Sequence, residues 1–257
     1  ATKDNYTELV ASFRGSAGTK VLLAYRRDTE ELTVELTRRE IDIPTITTTM
    51  LDNIAYLRFS DISNNTSAHL DAAIRQANQE RAQALVFDIR GLASDNMEII
   101  GDMLDTLVGK MTIIYAQDQQ GELQELMESD DAQVELPMVV LADNTTSGTW
   151  ELFAQVLRDT GKARTVGETT AGKGTRESFY KLKNGAAVYL TVARYAGPSR
   201  ETYDQVGVPA DYEIHYSADM DKFLTMGDLE YDNQLRKALE IASTAVKTET
   251  ANAQANG

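Results

Sequence analysis

Short apolar runs alternate with amphipathic stretches through the middle of the chain. Ala84–Phe87 and Val139–Leu141 are continuous apolar runs, the pattern of strands buried on both faces of a sheet. Apolar residues recur at helical spacing in residues 67–79, 95–108 and 149–160. Strands that alternate with helices predict an α/β fold.

Further strands are predicted on both sides of this region. They are Lys20–Arg26, Glu31–Thr37, Ile54–Phe59, Met111–Ala116, Arg164–Val166, Glu213–Tyr216 and a hairpin of Phe179–Leu182 with Ala186–Val192 around Asn184-Gly185. Ile41–Thr49 is threonine-rich and contains Pro44, so we interpret it as a linker. Residues 117–135 are polar and acidic, which predicts a surface hairpin or short helix and a candidate lid.

These elements divide the chain into four parts. Residues 1–38, with a helix at 5–14 and two strands, form a small β-rich module, and residues 39–216 form an α/β core. Residues 217–246 are a C-terminal helical segment of that core, since Asp232–Val246 is amphipathic. Residues 247–257 are polar and predict a disordered tail.

Composition narrows the possible partners. The 257 residues carry a net charge of -15, which makes nucleic acid an unfavourable partner. Cysteine is absent, so disulfides and thiolate metal sites are excluded. No apolar run approaches the ~18 residues of a membrane span, and the first residues do not form a signal peptide. Because the chain does not begin with Met, a leader could have been removed.

The stretch 139–177 carries the candidate chemistry. A strand leads through a polar turn into a helix, and Gly161 stands where that helix ends. A second strand then leads to a loop that presents Lys173 between Gly172 and Gly174. The start of a helix gathers backbone N–H groups and small hydroxyls, and a lysine held nearby on a glycine loop can complete a serine–lysine site.

Several segments together resemble the C-terminal processing (tail-specific) serine peptidases. The segment ALVFDIR resembles that family's strand ending in Asp-Leu-Arg, and residues 137–173 resemble its nucleophile turn, helix and lysine loop. FRGSAGTKVLLAYRR resembles the end of its PDZ domain, and DNQLRKALEIA its terminal helix. The resemblance implies a crotonase/Clp-protease-like α/β peptidase core with the C-terminal part of a PDZ module at the N-terminus. It also implies serine-type cleavage of unstructured polypeptide C-termini outside the cytoplasm, without a cofactor or metal.

The candidate active positions depart from the family's pattern. Glu151 and Lys173 match it without a gap, and the position of the nucleophilic serine, counted from both, falls on Gly148. The family's glutamine position holds Glu177. Its Gly-Gly pair, which supplies an oxyanion N–H, falls on Ser94 and the following aspartate. Of these active positions only Lys173 is retained.

These departures predict a catalytically impaired peptidase that acts in peptide or partner binding. An acidic side chain near Lys173 would stabilise its ammonium, the opposite of what a general base needs. The alternative is an active endopeptidase with a shifted Ser147/Lys173 dyad, but side chains of adjacent residues at a helix start diverge by about 100°. Ser147 is otherwise a turn or capping hydroxyl. Lys173 is either a vestige of the catalytic site or the partner of Glu177 in a salt bridge.

Other candidate sites receive structural interpretations. Residues 167–173 nearly spell a phosphate-binding loop, but Gly174 follows the lysine and a hairpin rather than a helix comes next. His69 and His215 are solitary. The acidic groups, Glu128/Asp130/Asp131 and Asp219/Asp221/Asp228, lack calcium-loop spacing. Trp150 is either a plug of the former substrate channel or a core anchor.

Overall fold

The computed structural model describes residues 6–217 and 226–255. The chain divides into two compact units, Ala1–Ile43 and Pro44–Gly257. This division lies five residues beyond the predicted end of the N-terminal module at residue 38. Every helix in these described ranges is too short or too polar to cross a bilayer.

The N-terminal unit contains one helix and one hairpin. Helix α1 spans Tyr6–Phe13, and strands β1 (Lys20–Arg27) and β2 (Glu30–Thr37) pair antiparallel. The Arg38 guanidinium donates to the carbonyl oxygens of Phe13 at 2.9 Å and Lys20 at 2.9 Å, which ties the helix end to the hairpin. The interpretation of this unit as part of a PDZ module stays a prediction.

The second unit is built on a six-stranded sheet. Its strands are β3 (Ile46–Leu51), β4 (Ile54–Phe59), β5 (Ala84–Asp88), β9 (Met138–Ala142), β11 (Ala163–Gly167) and β14 (Tyr212–Glu213). The order across the sheet is β14-β11-β9-β5-β4-β3, and all pairings are parallel except that of β3 with β4. The central strands β5 and β9 are buried along their whole length, as their continuous apolar sequences predict.

Helices cover both faces of this sheet. The helices are α2 (Thr66–Gln79), α3 (Met97–Leu107), α4 (Thr149–Asp159) and α5 (Asn233–Ala255). The first three contribute to the larger core, in which Leu70, Leu104 and Phe153 are fully buried. Helix α5 contributes Leu235 and Ile241 to a separate core with side chains of the opposite sheet face. The predicted α/β layer architecture is confirmed.

A second sheet of four strands is wholly antiparallel. Its strands are β7 (Thr112–Gln117), β8 (Leu123–Glu128), β12 (Thr175–Lys181) and β13 (Ala187–Ala196), in the order β12-β13-β7-β8. The segment 117–135 therefore forms a hairpin with β7, one of its two predicted forms. Two further strands, β6 (Ala93–Ser94) and β10 (Ser147–Gly148), form a short parallel pair.

Two sequence interpretations are wrong. Ile46–Leu51, which overlaps the predicted linker 41–49, is strand β3, because its six residues pair with β4 and Ile46 is buried. The predicted disordered tail from residue 247 instead continues helix α5 to Ala255. A polar end can extend an existing helix because propagation requires only one further hydrogen bond per residue. Asp219 and Asp221 lie outside the described residues.

Candidate active site

The site is built around an unusual turn at Gly148. The β10 strand lies parallel to β6, with Gly148 opposite Ser94, and helix α4 begins at the next residue. Gly148 adopts φ 73° and ψ -132°, a conformation that favours glycine. A Cβ added there would lie 1.9 Å from the carbonyl oxygen of Ser94. The Ser94 carbonyl therefore fills the space that any side chain at position 148 would need.

The carboxylate of Glu151 joins this turn to the lysine loop. It is fully buried in the first turn of α4 and accepts hydrogen bonds from the backbone N–H groups of Gly148 (2.9 Å), Gly172 (2.6 Å) and Lys173 (2.8 Å). The hydroxyl of Thr170 donates a fourth. Three backbone donors and a hydroxyl stabilise a buried negative charge, so Glu151 fixes the lysine loop against the helix start.

A small polar pocket opens beside this turn, with a volume of about 90 Å³. It is lined by Ser94, Asp95, Gly148, Thr149, Lys173, Thr175, Glu177, Tyr189 and Tyr195. The structure thus brings together four of the positions singled out in the sequence, Ser94, Gly148, Lys173 and Glu177. Ligand pockets usually enclose about 300–1,000 Å³, so this one has room for water molecules or a small group.

The structure does not bring together the Ser147/Lys173 pair of the alternative interpretation. Ser147 is half-buried, its N–H donates to the carbonyl of Leu92 at 2.9 Å, and its side chain is not among those lining the pocket. Within residues 6–217 and 226–255, no hydrogen bond joins Ser147 to Lys173. The neighbouring Thr149 does line the pocket.

The alternative salt bridge between Lys173 and Glu177 is also absent from the described part of the chain. The two residues are four apart, but Glu177 follows a β-bulge in strand β12 rather than a helical turn. Their side chains line the same pocket without an ion pair within 4.0 Å. Glu177 and Asp95 nevertheless place two acidic side chains on the lining of this pocket.

Two tyrosines close the site with their hydroxyls in the neutral form. Burial raises the pKa of Tyr195, Arg176 partly opposes this rise, and Asp95 adds to it. Burial also raises the pKa of Tyr203, with a further contribution from the charge of Glu151. The Tyr203 hydroxyl donates to the carbonyl of Gly148 at 3.0 Å, which helps to hold the backbone turn. Neither phenol is prepared to act as a base near neutral pH.

A buried charge cluster follows strand β5 at its carboxyl end. The Arg90 guanidinium contacts Asp88 at 2.6 Å and Asp232 at 2.7 Å, and the Tyr56 hydroxyl donates to Asp88 at 2.6 Å. Burial alone would lower the pKa of Arg90, but the two carboxylates raise it, so the guanidinium remains charged. This cluster joins the start of helix α5 to the sheet, immediately before the loop that leads to Ser94.

The remaining candidates take structural roles. Trp150 is 1% exposed and packs edge-on against Phe59 and Phe153, which supports the core-anchor interpretation. His69 is half-buried against Thr45, and His215 is exposed beside Glu168. The described residues contain no cluster of His, Asp or Glu able to hold a metal ion.

In the sequence, Glu151 served only as a residue that matches the family's pattern. Its role in holding the lysine loop against the start of helix α4 was not predicted. Three of its four hydrogen-bond donors, Thr170, Gly172 and Lys173, lie about 20 residues further along the chain, so local spacing does not reveal them. The available signal was a glutamate among the mostly apolar residues 149–157 of helix α4, all of which are buried.

Comparison with known proteins agrees with this geometry. Residues 53–214 match Peptidase family S41. The carboxyl-terminal-processing protease of Synechocystis sp. is 28% identical over 211 residues, which cover 79% of this chain and 49% of that protein. The carboxy-terminal processing protease CtpA of Bacillus subtilis is 29% identical over 234 residues, covering 87% and 50%. The chain thus spans about half the length of the curated relatives it matches.

Solved structures show the same fold. The photosystem II D1 C-terminal processing protease superimposes with a TM-score of 0.63 at 24% identity, covering 78% of this chain and 57% of that one. Mature CPAF complexed with lactacystin gives a TM-score of 0.57 at 12% identity, covering 90% and 68%. From the family match across most of the second unit, together with these relatives, we conclude that this chain belongs to Peptidase family S41 and is a C-terminal-processing-peptidase-like protein.

Proposed function

We propose that this chain is a catalytically impaired member of its family that binds unstructured polypeptide C-termini or a protein partner. One observation carries the proposal. The position that holds the attacking serine in the family is Gly148, and the Ser94 carbonyl lies where the missing side chain would begin. Without a hydroxyl at this point no acyl-enzyme can form by the family's route.

The surroundings support the same conclusion. A polar pocket of about 90 Å³ lies beside Gly148. Asp95 and Glu177 line it, although an oxyanion hole requires hydrogen-bond donors. Ser147, the hydroxyl of the alternative dyad, has no hydrogen bond to Lys173 in the described structure, so the shifted dyad is the weaker candidate.

The intact architecture around the site supports binding. Glu151 still holds the helix start and the lysine loop together. The named relatives are carboxyl-terminal-processing proteases, so a polypeptide C-terminus is the ligand class we propose, outside the cytoplasm.

The experiment separates binding from cleavage. A fluorescent, unstructured polypeptide with an apolar C-terminus is mixed with the chain, and anisotropy reports binding while mass spectrometry reports cleavage. The same polypeptide with two C-terminal aspartates is the matched ligand control. We expect saturable binding of the apolar-tailed form and no cleavage above the rate without protein.

Three variants identify the side chain responsible for any cleavage that does occur. Ser147→Ala, Thr149→Ala and Lys173→Ala each remove one polar side chain at the site. If the wild type cleaves the polypeptide and one of these variants abolishes cleavage, the protein is an active peptidase and the proposed impairment is wrong. Absence of binding to either polypeptide would instead contradict the proposed ligand class.

A further inference from the structure

The four-stranded sheet ends in two exposed edge strands. Within residues 6–217 and 226–255, β12 pairs only with β13, and β8 pairs only with β7. Most residues of both strands are exposed, including Phe179 and Tyr180 on β12 and Leu123 on β8. Each edge therefore presents unpaired backbone N–H and C=O groups beside apolar side chains.

The two edges carry opposite charge. Around β12 the charged residues are Arg176, Glu177, Lys181 and Lys183. Around β8 they are Asp118, Glu122, Glu125, Glu128, Asp130 and Asp131. In a chain of net charge -15, the β12 edge is thus a basic surface and the β8 edge an acidic one.

Charge on an edge strand usually prevents strand addition, because like edges repel. Here the charges oppose two of the three possible pairings between copies of this chain, β12 with β12 and β8 with β8. Two β12 edges both carry net positive charge and two β8 edges both carry net negative charge, so each of these pairings is repulsive. A β8 edge against the β12 edge of another molecule brings opposite charges together, and cross-strand pairs of opposite charge are favourable.

Strand direction and length are also compatible with this contact. Every neighbouring pair in the sheet is antiparallel, so β8 runs antiparallel to β12 across it. A second copy displaced along the sheet would place its β12 antiparallel to β8 of the first, continuing the existing pattern. The strands have seven and six residues, so their backbone groups can pair along nearly their whole length.

We infer that this chain self-associates head to tail, with the acidic β8 edge of one copy adding to the basic β12 edge of the next. The contact is heterologous, so it produces a ring or an open chain rather than a closed two-fold dimer. Because exposed charges select the pairing, association weakens as salt rises.

Sedimentation velocity of the full chain over a concentration series tests this inference. We expect the mean size to grow with concentration at low ionic strength and to fall in about 0.5 M salt. Lys181→Glu and Glu125→Lys each reduce the opposite charge of one edge, and each should weaken association by up to about tenfold. Lys247→Glu and Glu80→Lys make the same charge changes at exposed positions outside this sheet and serve as controls.

Mixing the two edge variants identifies the contact. Lys181→Glu keeps the wild-type β8 edge and Glu125→Lys keeps the wild-type β12 edge, so an equimolar mixture should form one wild-type contact between unlike copies, with an affinity within about threefold of the wild type. The inference is wrong if the wild-type chain remains monomeric at every concentration and salt level. It is equally wrong if the two edge variants associate like their controls, or if their mixture associates no more strongly than either variant alone.

Discussion

Introducing a hydroxyl at the proposed nucleophile position with Gly148→Ser should not produce a serine peptidase. The serine would have to adopt φ 73° and ψ -132°, which costs about 1–3 kcal/mol for a residue with a Cβ. Its Cβ would lie 1.9 Å from the carbonyl oxygen of Ser94 and would have to displace it, an overpacking that costs about 1–3 kcal/mol. We expect a total loss of about 2–6 kcal/mol in the free energy of unfolding.

A matched variant separates the two costs. Gly161 has φ 71°, but a Cβ added there would meet nothing within 4 Å. Gly161→Ala should therefore cost only the strain of the left-handed conformation, about 1–2 kcal/mol. Gly148→Ala measures the cost of a Cβ at position 148 without a hydroxyl and is compared directly with Gly161→Ala.

Urea unfolding followed by the fluorescence of Trp150, the single tryptophan, measures these costs. A serine-directed fluorophosphonate probe, followed by mass spectrometry, measures whether the hydroxyl introduced by Gly148→Ser becomes a nucleophile. The reasoning is refuted if Gly148→Ser is as stable as Gly161→Ala and reacts with the probe. That result would mean that the Ser94 carbonyl moves aside without cost and that the site lacks only the hydroxymethyl group.

Three further predictions concern groups around the site. Glu151→Gln should lower the free energy of unfolding by about 3 kcal/mol, because a carboxamide cannot accept all four hydrogen bonds. It should also speed hydrogen exchange at the Lys173 amide. A loss of stability below about 0.5 kcal/mol would contradict this expectation. Burial alone would raise the pKa of Asp232, but the hydrogen bonds and charge of Arg90 hold this pKa below the ordinary 3.8. The ionised carboxylate therefore stabilises the folded chain above pH 3.8, and this stabilisation is lost as the pH falls below that value. Asp232→Asn should therefore weaken the dependence of the urea midpoint on pH between about 5 and 2, and an unchanged slope would contradict the assignment. Trp150→Ala should cost about 3–5 kcal/mol without opening the pocket to substrate, whereas a small cost with new peptide binding would identify Trp150 as a plug.

The elements of the fold could be predicted because each depends on local patterns. The continuous apolar runs of β5 and β9 and the helical spacing of α4 are visible in the sequence itself. Strand β3 was not predictable in this way, since a threonine-rich stretch after Pro44 becomes a strand only because β4 offers it an edge to pair with. The end of α5 was missed for a similar reason, since its polar last turns extend a helix that starts in the core.

The candidate site, like the fold, was predictable from the sequence only in part. Spacing along the sequence predicts glycine at the family's nucleophile position and Lys173 at its lysine position, and both assignments stay predictions. The sequence could not show that the Ser94 carbonyl occupies the space of the missing side chain, or that Glu151 connects the helix start to the lysine loop. Both depend on groups that are distant in the chain and meet only when β6 and β10 pair and α4 is buried. Residue identity is thus set by the sequence, while steric exclusion and hydrogen-bond partners are properties of the folded chain.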